Sequence, residues 1–135
     1  MIINAENLVL GRMAAIAAKQ ALLGEDVRIV NCEKAIITGD KKNTLKHYLQ
    51  RLDIGQPQKG PFIQRRPDLF VRRAIRGMLP RRQSKGKQAF SRIKCYIGVP
   101  ADLEKAETLR QAQLQKVTKR FITVGELCMH LGGGK

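Results

Sequence analysis

The side chains of this chain that could do chemistry are mostly cations. Its 135 residues hold 26 Lys+Arg, 11 Asp+Glu and 2 His, a formal net charge of +15 at pH 7. Between Arg65 and Lys94 stand eleven cations (Arg65, Arg66, Arg72, Arg73, Arg76, Arg81, Arg82, Lys85, Lys87, Arg92 and Lys94) against one acid, Asp68, a net +10. Eight of the eleven are arginines. An arginine fork binds phosphate bidentately and stacks on a base, which a lysine point charge does not. A face built only for solubility would scatter and mix its signs. Concentrated charge repels itself, and a polyanion is the usual partner that offsets the repulsion. The candidate phosphate contacts are Lys59, Arg65, Arg66, Arg72, Arg73, Arg76, Arg81, Arg82, Lys85 and Lys87. Lys85-Gly86-Lys87 is read as a turn whose glycine lets backbone approach a ligand closely.

Other chemistry finds little support. A dinucleotide fingerprint would start at Gly11, but Arg12 through Ala18 contain no glycine. Gly86-Lys87 resembles the tail of a phosphate-binding loop, yet Arg81 stands where that loop needs glycine and Gln88 where it needs Ser or Thr. His47 and His130 are far apart, and Cys128 and His130 are an i, i+2 pair that does not share a helix face. The acids form no clustered pair for proton transfer. The reading is therefore non-catalytic, with no cofactor and no metal.

Composition sets the frame. The length suits one domain over residues 1–135, and 43% hydrophobic residues allow a self-standing core. No apolar run approaches the roughly 18 residues of a membrane span. The start, Met1 to Asn7, lacks the basic and apolar regions of a secretory signal. Cys32, Cys95 and Cys128 are widely spaced, which suits reduced thiols in the cytoplasm. With 4% aromatics and no Trp, stacked aromatic platforms have little material.

The elements that must position the cations follow from periodicity. Ile2-Ile3, Val27–Val30, Ile36–Thr38 and Lys94–Ile97 read as strands. Arg12–Leu23 is an alanine-rich helix closed by Gly24, and Lys42–Leu52 is a second helix with Leu45, Tyr48, Leu49 and Leu52 on one face. Residues 53–67, with Gly55, Pro57, Gly60, Pro61 and Pro67, form a long loop. Pro67 opens a helix to Leu79 with Leu69, Val71, Ala74, Ile75 and Met78 inward and Arg72, Arg73 and Arg76 outward. Ser84 caps a helix running to Ile93. Residues 101–119 are polar and helix-tolerant, and Thr123 to Glu126 is a capping box before a last helix. Strands alternating with helices predict an α/β fold with a mostly parallel sheet, carrying a basic loop–helix region at about 53–94.

Such a surface would track a folded RNA by shape and backbone. No helix arrays Asn, Gln and Arg for reading DNA base edges, and no zinc-finger or basic-zipper spacing occurs.

Several blocks are similar to one family. Gly60-Pro61-Phe62, Arg65-Arg66-Pro67-Asp68 and Arg73-Ala74-Ile75-Arg76-Gly77-Met78-Leu79-Pro80 resemble the signature of the L-thirteen proteins of the large ribosomal subunit. Asn7–Ala14, Val30–Ala35, Ile37-Thr38-Gly39 and Tyr96–Pro100 resemble further blocks of that family. The resemblance covers about residues 1–100 and leans to the archaeal branch. It implies a three-layer α/β/α fold around a parallel four-stranded sheet, binding to large-subunit rRNA and an early role in assembly. It assigns rRNA contacts to Arg65, Arg66, Arg73, Arg76 and the Arg81–Lys87 stretch. Neighbouring ribosomal proteins are implied partners, an mRNA remains open, and no membrane is implied. Two alternatives stand beside it: a nucleotide-dependent enzyme on a doubly wound sheet, and a non-ribosomal nucleic-acid-binding regulator.

Overall fold

A computed structural model describes residues 1–103, 109, 112–113 and 120–133. Strands β1 (Ile2–Asn4), β2 (Val27–Val30) and β4 (Ile93–Cys95) form a parallel sheet in the order β1-β2-β4. The pairing aligns Ile3 with Ile29 and Ile29 with Cys95. Side chains alternate across the pleat. Ile3, Val27, Ile29 and Ile93 are therefore fully buried on one face, while Arg28 and Lys94 are register partners exposed on the other.

Helix α1 (Leu10–Leu22) crosses from β1 to β2. Ala14, Ala17, Ala18 and Ala21 are buried with Met13, and their small side chains let neighbouring helices come close. It packs on α3 (Pro67–Met78) and α4 (Ser84–Ser91). Its end is a Schellman turn: Glu25 N–H donates to Gln20 O at 3.2 Å, Gly24 N–H to Ala21 O at 3.2 Å, and Gly24 has φ +103°.

The sheet differs from the four strands expected. Only the five residues 31–35 separate β2 from β3 (Ile36–Thr38). A parallel return beside β2 needs a dozen or more. Instead β3 pairs antiparallel with β5 (Phe121–Thr123), aligning Ile37 with Ile122. Among the described residues the sheet thus has three parallel strands plus a separate two-stranded pair. On the face away from Ile29, Arg28 and Lys94 are exposed while Val30 is buried. The predicted polar helix at 101–119 lies mostly outside the described residues.

The chain's own polar groups fill the carboxyl end of the sheet. Asn31, 6% exposed and left-handed at φ 56°, donates its side-chain amide to Asn4 Oδ1 at 2.9 Å. Both Glu33 oxygens accept from Gly98 N–H, at 3.3 and 3.1 Å. A doubly wound enzyme would hold its nucleotide in this crevice.

Helix α2 (Lys41–Asp53) starts at Asp40, whose side chain accepts from Asn43 N–H, and buries no residue fully. Leu45, Tyr48 and Leu52 pack on the core, but Leu49 is exposed. Helix α5 (Val124–His130) starts at Thr123, which accepts from Glu126 N–H at 3.2 Å as the capping box predicts. The Glu126 carboxylate pairs with Lys41 of α2.

Candidate nucleic-acid interface

Helix α3 is the spine of the basic region. Pro67 takes its first turn beside Asp68, and Phe70, Val71 and Ile75 are its buried face. Leu69 and Met78, expected inward, are exposed, and Phe70 points in. Phe70 meets Tyr48 of α2 with ring centres 5.4 Å apart. Burial pushes the Tyr48 hydroxyl up from its ordinary value, against the lowering pull of Arg51 and Arg73.

The three arginines of α3 are half-buried rather than projecting freely. The Arg72 guanidinium lies 4.6 Å over the ring of Phe90, a contact worth about 0.5–1 kcal/mol at exposed sites. Its Nε–H is buried and meets no acceptor. An unpaired buried donor costs on the order of 1–3 kcal/mol. Arg73 donates to the carbonyl of Phe62, tying the loop to α3. The loop itself is closed by Gly60 N–H donating to Gln56 O at 2.9 Å.

Three arginines converge on one groove of about 460 Å³, where Arg72, Arg73 and Arg76 stand with Phe62, Gln64 and Phe90. Arg76 also lines the adjoining depression with Arg81 and Arg82. A continuous track of five arginines results.

The other candidates lie apart. Lys59 is exposed on the loop, and Lys85 and Lys87 are exposed on α4. Arg66 pairs with Asp68 at 2.9 Å. Arg65 is exposed beside the C-terminal turn, where a methyl on Gly133 would lie 2.2 Å from the Arg65 carbonyl oxygen.

Two readings of the 84–87 stretch are corrected. Ser84 does not cap α4: Gln83 precedes the helix, no side-chain cap bond forms, and the helix ends at Ser91. Gly86 lies inside α4, not in an open turn, and is buried. A methyl there would stand 2.2 Å from Pro80 O, so its missing side chain admits the protein's own backbone.

The ion pairs among the described residues are Lys34–Glu6, Lys41–Glu126 and Arg66–Asp68. Among the described residues, ten of the eleven cations between Arg65 and Lys94 therefore form no ion pair with a carboxylate.

Phe62, Phe90, Arg28 and Lys94 escaped the sequence-based site. A phenylalanine after Gly60-Pro61 in an exposed loop was the available signal for Phe62. The pairing of Arg28 with Lys94 needed the strand register.

The model of the family described as "Ribosomal protein L13" matches residues 1–102. The chain belongs to this family. The relative from Methanopyrus kandleri, named large ribosomal subunit protein uL13, is 47% identical over 97% of this chain and 86% of its own. That from Thermoplasma volcanium, with the same name, is 46% identical over 98% of both chains. That from Haloarcula marismortui, again so named, is 40% identical over 100% of this chain and 92% of its own. The similarity therefore runs beyond the first 100 residues, and these family members are archaeal. Their names give no support to an mRNA partner. Among the described residues no helix is long and apolar enough to cross a membrane.

Proposed function

We infer that the chain is a structural protein of the large ribosomal subunit, holding large-subunit rRNA along the track Arg72, Arg73, Arg76, Arg81 and Arg82. Family membership supports the ribosomal role. The observation that carries the RNA contact is a concentrated arginine surface that, among the described residues, has one ion pair, Arg66–Asp68. Arg28 and Lys94 add a second basic patch on the other face of the sheet. Arg65, Arg66, Lys59, Lys85 and Lys87 then serve at the margins of the track, where flexible side chains reach neighbouring phosphates. The reading includes adjoining ribosomal proteins as partners and a role early in subunit assembly, because a protein that neutralises phosphate lets RNA segments approach each other. The mechanism is electrostatic and geometric: the Phe90 ring and the Phe62 carbonyl hold Arg72 and Arg73 in advance, so less of their side-chain freedom is lost on binding.

The test is a filter-binding titration of the purified chain on its large-subunit rRNA at several salt concentrations. The five contacts of the track should contribute about −4 to the slope of log K against log salt, and the marginal cations steepen it further. Arg76→Ala should weaken binding and flatten the slope by about one, leaving stability within about 0.5 kcal/mol. An unchanged affinity and slope would remove Arg76 from the interface.

A further inference from the structure

We propose that the groove between α3, the loop around Phe62 and α4 receives one unpaired base of the RNA, stacked on Phe62 and inserted beside Phe90. The inference rests on the RNA-binding reading above and adds a base-receiving site to a surface otherwise fitted to phosphates.

Four observations carry it. Of six aromatic residues in the chain, two line this single groove, and Phe62 is 64% exposed there. An exposed aromatic is unusual on a surface so polar and so short of rings. The groove encloses about 460 Å³, a size typical of pockets that take small planar ligands. Its charged lining is wholly cationic: Arg72, Arg73 and Arg76. The Arg72 guanidinium stands 4.6 Å over the centre of the Phe90 ring, which places a cation and an aromatic ring together in the groove. A base offers a π face to Phe62, while its own phosphate meets Arg76 at the mouth. Gln64 supplies an amide at the groove wall for a base edge. An acidic protein segment would satisfy the arginines but would leave the two rings without a planar partner.

Base-on-aromatic stacking is sequence-tolerant and is lost on removing the ring. Single-stranded loops and bulges are where RNA displays such bases. Arg73 acts here as a positioning residue, since its bond to the Phe62 carbonyl sets where the ring stands.

The experiment uses the full chain and its transcribed large-subunit rRNA. Ultraviolet cross-linking with mass spectrometry reads which residue joins which nucleotide, and dimethyl sulfate probing reads base exposure. The expected result is an adduct of Phe62 or Phe90 with an unpaired nucleotide that becomes protected in the complex. Phe62→Ala should lower affinity about tenfold, restore that nucleotide's reactivity and leave the salt slope unchanged. Phe62→Tyr should restore both affinity and protection. Arg76→Ala should flatten the slope yet keep the protection. If Phe62→Ala binds like the parent chain, or no unpaired nucleotide is protected, the groove takes no base, although the phosphate track stands. If the parent chain shows no salt-dependent binding to this RNA, both readings fall.

Discussion

Cys128 illustrates how a single buried side chain reports on the fold. Burial first, and the nearby Asp68 carboxylate second, push its thiol up to about 11 from an ordinary value of 9.0. The folded chain therefore holds this proton more tightly than the unfolded chain. The resulting stabilisation is complete below pH about 9 and is lost as pH climbs toward about 11. Urea midpoints measured across that window should fall more steeply for the parent chain than for Cys128→Ala, and parallel curves would refute the assignment. Cys32 shifts in the same direction, through the neighbouring Cys95 thiol and then through burial. Alkylation of Cys32 and Cys128 should consequently track unfolding rather than precede it. Cys32, Cys95 and Cys128 are free thiols, of which Cys32 and Cys128 are buried.

At the scale of elements, two glycines in helices make opposite demands. Gly86 of α4 lies so close to the Pro80 carbonyl that an added methyl would stand 2.2 Å from it. Gly86→Ala should destabilise the chain by about 1–3 kcal/mol, because the turn at Pro80 must open to admit the methyl. Gly11 of α1 has open space around the same position. Gly11→Ala should stabilise by about 0.4–1 kcal/mol through a less flexible unfolded chain. Thermal melts of both variants, read by circular dichroism, check the pair; a similar shift in each would mean the Pro80 contact is not as close as described. The arginine track depends on that contact, since it fixes where Arg81 and Arg82 leave α3 for α4. Helix α3 also shows why a strict inward list misleads. Spacing correctly placed Val71 and Ile75 inward but also favoured Leu69 and Met78, which are exposed, whereas Phe70 is buried against Tyr48 of α2.

As a whole molecule, the chain carries +15 with few internal pairs, so its charges oppose its own compaction. Added salt screens that repulsion within a Debye length of about 10 Å at 0.1 M. The free protein should therefore melt at a higher temperature as salt rises from low millimolar levels. Its complex with large-subunit rRNA should weaken over the same range, as counterion release loses its drive. Scanning calorimetry with and without RNA measures both trends. A melting temperature that falls with salt in the free chain would show that its cations are already compensated internally.

Much of this was legible in the order of residues. The α/β alternation, the turn at Gly24, the start of α3 at Pro67 and the cap at Thr123 are local matters of backbone propensity and short-range hydrogen bonds, so the chain encodes them within a few positions. The density of arginine in the middle third, and hence an anionic partner, is likewise a property of composition. The family blocks added the identity. Tertiary structure alone decided the rest, because it depends on which distant surfaces meet. The short span after β2 sent β3 to pair with β5 rather than extend the parallel sheet. Strand register put Arg28 beside Lys94. Packing of α4 on Pro80 turned Gly86 from a supposed ligand contact into a backbone contact. Loop closure brought Phe62 to Arg72 and Phe90, so a chain poor in aromatics gathered two rings and three arginines around one opening.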